Sequence, residues 1–223
     1  MNERPAHPPR SESMEGFFGA RASGYEQQMR RNVKDLNAFY DSISEALPST
    51  TQSPRILDLG VGTGLELDAL FKRFPSARVK GIDLSRQMLA ELVKKDPTWL
   101  PHVELVIGSF LDLDLGHAMY DAVISAMALH HWIPNVKLSL YRRVHRALMP
   151  GGVFVNADYV ESADESSRRL DAYQPNSKND EHLDHLDLPL TSETEVALLK
   201  EAGFHPVRVA FRQPRAVTLL ACT

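Results

Sequence analysis

Between residues 22 and 47 the apolar side chains fall at Tyr25, Met29, Val33, Leu36, Tyr40, Ile43 and Leu47, in steps of three and four. That spacing keeps them on one face of a helix. It predicts a helix over about 22–47, ended by Pro48 and the polar run that follows. Beyond Pro54 the pattern changes, and short apolar runs alternate with amphipathic stretches. Strands are predicted at 55–59, 78–82, 103–107, 122–125 and 152–157, with helices over about 65–74, 87–95 and 136–148 between them. Strand–helix alternation on short connections builds a parallel sheet with helices on both faces. A further helix over 192–202 stops at Gly203, and two strands, 206–211 and 216–222, read as an antiparallel pair around Pro214. The expected fold is therefore α/β: a Rossmann-like doubly wound sheet, mostly parallel, with an antiparallel C-terminal strand pair and helices on both faces.

Two stretches stand outside this rhythm. Residues 1–13 are polar and carry Pro5, Pro8 and Pro9, which suggests a disordered lead-in without the apolar core of a signal peptide. Residues 14–223 then form a single domain, with a helical cap at about 22–47 and an insertion at about 158–190. From Asp158 to Asp187 there are nine acidic residues and three basic ones. A short helix is expected over 164–173 and turns over 174–180. Irregular insertions of that length in a compact domain are usually lids or binding loops.

Composition narrows the function classes. The 223 residues are 43% hydrophobic, enough for one sizeable core, and carry a formal charge of -4. That balance argues against a protein whose main task is gripping a polyanion. Cys222 is the only cysteine, so disulfide frameworks and Cys-based metal sites within one chain are excluded. No apolar run approaches the roughly 20 residues of a membrane span. A cytoplasmic protein with no membrane partner is expected.

The chemistry is concentrated at strand ends. Ile56-Leu57-Asp58-Leu59 passes into Gly60-Val61-Gly62-Thr63-Gly64, a turn that lets a ligand approach the backbone closely. The third glycine comes one residue too early for a dinucleotide fingerprint, and no Lys-Ser/Thr follows for a nucleotide-triphosphate loop. Asp83, at the end of the second strand and 19 residues past Gly64, is placed to accept both hydroxyls of a ribose. The plainer alternative is that it caps the following helix.

These residues resemble the class I S-adenosylmethionine-dependent methyltransferases. Residues 56–64 look like their first motif, Gly81-Ile82-Asp83-Leu84-Ser85 with Met88 the second, and Ile107-Gly108-Ser109-Phe110 the third. Tyr120-Asp121-Ala122-Val123-Ile124-Ser125 resembles the fourth, and Leu148-Met149-Pro150-Gly151-Gly152 the turn before the fifth strand. The resemblance implies a site for S-adenosylmethionine, with S-adenosylhomocysteine as product. Asp58, Gly60, Gly62 and Gly64 would surround its methionine part, Asp83 and Leu84 the ribose, and Met88, Ser109, Phe110 and Ser125 the remainder. Ser109 departs from the family's usual Asp at the adenine. Tyr25 resembles an N-terminal tyrosine that closes over the cofactor, and a core tyrosine is the equal alternative.

Methyl transfer from a sulfonium needs a placed acceptor and a dry site more than an activated protein nucleophile. His130 and His131, after the fourth strand, are the candidate catalytic residues, since a histidine there could take a proton near neutral pH. Trp132, Asp158 and Tyr159 are the candidate acceptor-binding residues. The run His182-Leu183-Asp184-His185-Leu186-Asp187 contains metal-ligand residue types, but an acidic lid or a structural loop accounts for it more simply, and no metal is expected. The expected partner is a small-molecule methyl acceptor rather than nucleic acid, with a homodimer left open. Two alternatives remain: a transferase acting on a tRNA wobble base, because the chain is also loosely similar to tRNA wobble-uridine carboxymethyl-transfer enzymes, and a non-catalytic protein that binds S-adenosylmethionine.

Overall fold

A computed structural model describes residues 12–173 and 185–223. Seven strands form one sheet in the order β3-β2-β1-β4-β5-β7-β6. Strands β1 (Arg55–Leu59), β2 (Arg78–Asp83), β3 (Val103–Ile107), β4 (Tyr120–Ala126) and β5 (Leu148–Tyr159) run parallel. Strand β7 (Ala216–Cys222) pairs antiparallel with both β5 and the edge strand β6 (Val207–Gln213). The chain order reverses at β1, between β2 and β4, which is where open α/β sheets bind ligands beyond their carboxyl ends.

Alternating side chains feed two cores, one on each face. Ile56, Ile124 and Val155 join the layer under helices α3 (Leu36–Ala46), α4 (Leu67–Arg73) and α5 (Arg86–Lys95). Their neighbours Leu57, Val123 and Phe154 join the layer under α6 (Pro134–Ala147) and α8 (Ser192–Glu201). Between the last two helices, fully buried Lys137 and Tyr141 both bond to the carboxylate of Glu195. A buried charge is tolerated only when paired in this way.

The N-terminal part differs from the expected single helix. Helix α1 (Met14–Arg21) comes first, its N-cap Ser13 accepting a bond from Gly16 N. A 3-10 turn (Ala22–Gly24) leads into α2 (Tyr25–Asn32), and α3 follows. The break before α3 occurs because Asp35 takes a left-handed conformation, φ 49, which Asp tolerates better than most residues. The apolar stripe survives the break: Met29, Val33, Leu36, Tyr40 and Ile43 are all buried. Periodicity therefore reported the buried face correctly and the continuity of the helix wrongly.

Strand β5 also begins earlier than expected, because Leu148 pairs with Tyr120 and the register then shifts across the Pro-Gly-Gly turn. In the 158–190 insertion, α7 (Ala163–Ala172) is capped by Ser162. Residues 1–11 of the lead-in and 174–184, including His182 and Asp184, lie outside the described residues.

Candidate active site

The glycine turn leaves β1 with Gly60, Gly62 and Gly64 all at positive φ (81, 51 and 69). A Cβ on Gly60 would sit 2.6 Å from that of Ala128, so this crossing admits no side chain. The turn is tied to the end of β2. Gly60 N donates to Ile82 O at 2.8 Å, and Gly62 N donates to Asp83 Oδ2 at 2.9 Å. The other oxygen of Asp83 accepts from Ser85 N at 2.7 Å. Burial pushes the Asp83 carboxyl up to about 6, against the pull of those two N–H groups. Ser85, not Asp83, caps α5 by accepting from Met88 N at 3.2 Å.

Asp83 stands in a cavity of about 530 Å³ lined also by Gly60, Gly62, Leu84, Met88, Phe110 and Trp132, the last two rings meeting edge to face with centroids 6.3 Å apart. Met14 and Phe18 of α1 line it as well. Apolar side chains beside a buried carboxylate and a side-chain-free turn suit a nucleoside with a polar tail.

A second cavity of about 570 Å³ adjoins the first, and Phe18, Tyr25, Met127 and His131 line both. Arg21, Gln28 and Asn32 reach into it from α1 and α2, Tyr159 and His130 from the strand ends, and His185 and Asp187 from the far side of the insertion. Met127 holds φ 51, an unfavourable conformation for an unbranched apolar residue. Its N–H is tied to Ala157 O at 2.9 Å.

The two histidines have opposite protonation. Burial opposes charge on His130, but Asp158 at 2.6 Å and Asp187 outweigh it and raise the ring to about 9. Asp158 is positioned by Leu129 N at 2.9 Å and Tyr159 N at 2.8 Å, and its carboxyl is held low because charge on His130 overcomes its burial. His131 is driven down to about 3, by burial first and by charge on His130 second. Its Nδ1 lies 2.6 Å from Leu186 O and so carries the proton, leaving Nε2 buried without a hydrogen-bond partner among the described residues. Tyr25, at the common wall, is pushed well above the usual phenol range by burial and by Glu66. It stays a neutral donor.

Not every expected residue lines a cavity. Asp58 is buried behind the turn, both its oxygens unpartnered among the described residues, and is pushed well up by burial and by the neighbouring Glu66. Gly64 packs towards Leu67 and Leu92 instead of facing the cavity. Ser109 turns its hydroxyl back to Leu111 N at 3.1 Å, and Ser125 donates to Leu59 O at 2.8 Å to clamp β4 to β1. Trp132, expected against the acceptor, belongs to the first cavity. Asp158 lines neither cavity; it anchors His130 from below.

Met14, Phe18, Arg21 and Met127 were not legible as site residues. Helix α1 is short and weakly patterned, so nothing local marked it as a roof. The oddity of the His-Asp run did flag His185 and Asp187. His185 stacks on Phe17 with ring centroids 3.4 Å apart, and its N–H reaches Glu12 O at 2.9 Å. The insertion and α1 thus close over the second cavity together.

This fold, switch-point turn and buried strand-end acid define a doubly wound α/β domain with a cavity suited to a nucleoside. Comparison with known proteins takes the assignment further. Residues 56–152 match the family described as "Methyltransferase domain". A carboxy-S-adenosyl-L-methionine synthase of Helicobacter hepaticus is 26% identical over 219 residues, covering 90% of this chain and 91% of that protein. A trans-aconitate 2-methyltransferase of Deinococcus radiodurans is 34% identical over 148 residues, 64% of this chain and 54% of that protein. Among solved structures, DhpI in complex with SAM and HEP superposes with a TM-score of 0.70 at 22% identity, covering 93% of this chain and 94% of that one. Residues 56–152 are thus similar to the methyltransferase-domain family, and the chain as a whole shares its fold with a protein solved in complex with SAM. No described helix is long and apolar enough to cross a membrane.

Proposed function

We propose that the protein transfers the methyl group of S-adenosylmethionine to a small-molecule acceptor held in the second cavity. The observation that carries this reading is the shared wall: the two cavities meet at Phe18, Tyr25, Met127 and His131. A displacement reaction needs two compartments joined at the transfer point.

When bound, S-adenosylmethionine supplies an electrophilic methyl group on a sulfonium. The chain's residues fit it. Asp83, ionised above about pH 6, would accept the ribose hydroxyls. Leu84, Met88 and Phe110 would enclose the adenine, with Trp132 at its edge. Gly60 and Gly62 leave room for the methionine tail. Asp58, Gly64, Ser109 and Ser125 would act by holding the turn and the strand ends in register. The unpartnered Nε2 of His131 is an acceptor for an O–H, N–H or S–H on the small molecule, aligning its lone pair with the transfer axis. Tyr25 and Phe18 would exclude water at the junction, and Tyr159 would contact the acceptor. The second cavity lies beneath α1 and α2, which favours a free small molecule over a macromolecular acceptor.

The test is release of S-adenosylhomocysteine, measured by mass spectrometry, on mixing the protein and S-adenosylmethionine with cell fractions separated by size. The reading expects turnover with the small-molecule filtrate. Turnover with the tRNA or protein fraction alone would contradict it.

One observation favours a second reading. Similarity to carboxy-S-adenosyl-L-methionine synthases extends over nine-tenths of both chains, whereas the methyltransferase relatives match mainly the cofactor half. A carboxylated sulfonium product in the same experiment, in place of S-adenosylhomocysteine, would establish that reading.

A further inference from the structure

Three imidazole nitrogens converge on one carboxylate oxygen at the second cavity. His130 Nε2, His131 Nδ1 and His185 Nε2 lie 3.6, 3.4 and 3.8 Å from Asp187 Oδ1. One donor atom each from His130, His131 and Asp187 all fall within 4.8 Å of one another. We propose that His130, His131 and Asp187 bind one divalent transition-metal ion of the zinc, cobalt or nickel class, with His185 beside Asp187 holding that carboxylate in place.

The separations support a ligand set rather than a hydrogen-bonded cluster. Hydrogen-bonded polar atoms sit at about 2.7–3.2 Å, and these are longer. Ligands about 2.0–2.2 Å from a tetrahedral ion stand roughly 3.3–3.6 Å apart; His130 and His131 stand 3.6 and 3.4 Å from Asp187 Oδ1, and one donor atom of each of the three residues falls within 4.8 Å of the others. The supporting groups are also present. A ligating histidine usually gives its second nitrogen's proton to a carboxylate or carbonyl. His130 does so through Nδ1 to Asp158, itself fixed by two backbone N–H groups. This leaves Nε2 facing Asp187.

His131 needs one adjustment. Its Nδ1 proton, now towards Leu186 O, would pass to Nε2, which has no hydrogen-bond partner among the described residues. The ring would thereby exchange one neutral tautomer for the other. Two carboxylates, Asp158 and Asp187, flank His130, and a divalent cation would balance them. Mixed imidazole and carboxylate donors suit borderline ions; magnesium and calcium prefer all-oxygen sites. The inference revises the expectation of no metal; with an ion bound, the protonated Nε2 of His131 would donate a hydrogen bond to the small molecule, in place of the accepting role it has in the metal-free ring.

The experiment is calorimetric titration of the tag-free, chelator-stripped full chain with zinc chloride and with cobalt chloride, using magnesium chloride as control. Visible absorption of the cobalt form reports its coordination. We expect one zinc or cobalt ion per chain, and affinity at least tenfold weaker in Asp187→Asn and in His185→Gln. Far-ultraviolet circular dichroism and retained S-adenosylhomocysteine binding would show that both variants are folded. The proposal is overturned if the wild type binds zinc and cobalt no better than magnesium, or if binding is unchanged in Asp187→Asn.

Discussion

The two cavities share a wall but are built by different means. The first is assembled from consecutive strand ends, β1 with its turn and β2 with Asp83, and its key polar positions are fixed by backbone hydrogen bonds of 2.7–2.9 Å. The second is assembled from segments far apart in the chain: α1 and α2, the His130-His131 turn, and residues 185–187. A site fixed by backbone geometry can be shared by a whole superfamily, because it recognises the constant partner. A site enclosed by an N-terminal cap and an insertion can be rebuilt for each acceptor with the sheet untouched.

Substitutions can break that division of labour. The largest effect is expected at the turn. Gly60→Val would place a branched side chain where even a Cβ meets Ala128 at 2.6 Å, on a φ of 81. S-adenosylhomocysteine affinity should fall at least 100-fold by titration calorimetry, or the fold should be lost.

Next comes pH. Asp83 is raised to about 6, and the ribose contact needs its carboxylate. Affinity should be level above about pH 7 and fall up to tenfold per pH unit below about pH 6. The slope should be absent in Asp83→Asn, by titrations from pH 5 to 8.

A change confined to the second cavity should act on the acceptor alone. Tyr159→Ala should raise the acceptor KM about tenfold, the loss expected for one hydrogen-bonded contact of about 1.4 kcal/mol. The dissociation constant for S-adenosylhomocysteine should stay within about twofold. Equal losses on both sides would show that the cavities are not separable.

The smallest effect is on stability. Burial raises Glu66 to about 7, against the opposing pull of a backbone N–H and of Lys95. A raised acid stabilises the fold fully below its unfolded value of about 4.3, and that contribution is lost as pH rises through about 7. Glu66→Gln does not undergo this loss. Its melting temperature relative to wild type should therefore rise by several degrees between pH 5 and pH 8, at about 2–4 °C per kcal/mol for a chain this size.

How much of this was legible in the sequence follows the same division. The sheet, its antiparallel closing pair and the glycine turn could be read because each is a local pattern: alternation, turn glycines, an acid at fixed spacing. Trp132 lines the first cavity where the acceptor side was expected, and Ser109 turns back to Leu111 N, because a strand end gives proximity to the site but not the direction of the side chain. The α1 roof was missed since its eight residues cover the site through Met14, Phe17, Phe18 and Arg21, which form no repeating apolar stripe. The meeting of His130 with Asp187 joins segments 57 positions apart, which no local pattern encodes. The helix break at Asp35 is a one-residue backbone event that leaves the apolar spacing intact.

The most direct test is titration of the wild type and of Asp83→Ala with S-adenosylhomocysteine at pH 7.5. The account predicts micromolar or tighter binding by the wild type. Loss of a charged partner for two hydroxyls, about 3 kcal/mol, should weaken binding in Asp83→Ala by on the order of 100-fold. Equal affinity in the two proteins, or no binding by the wild type, would contradict it.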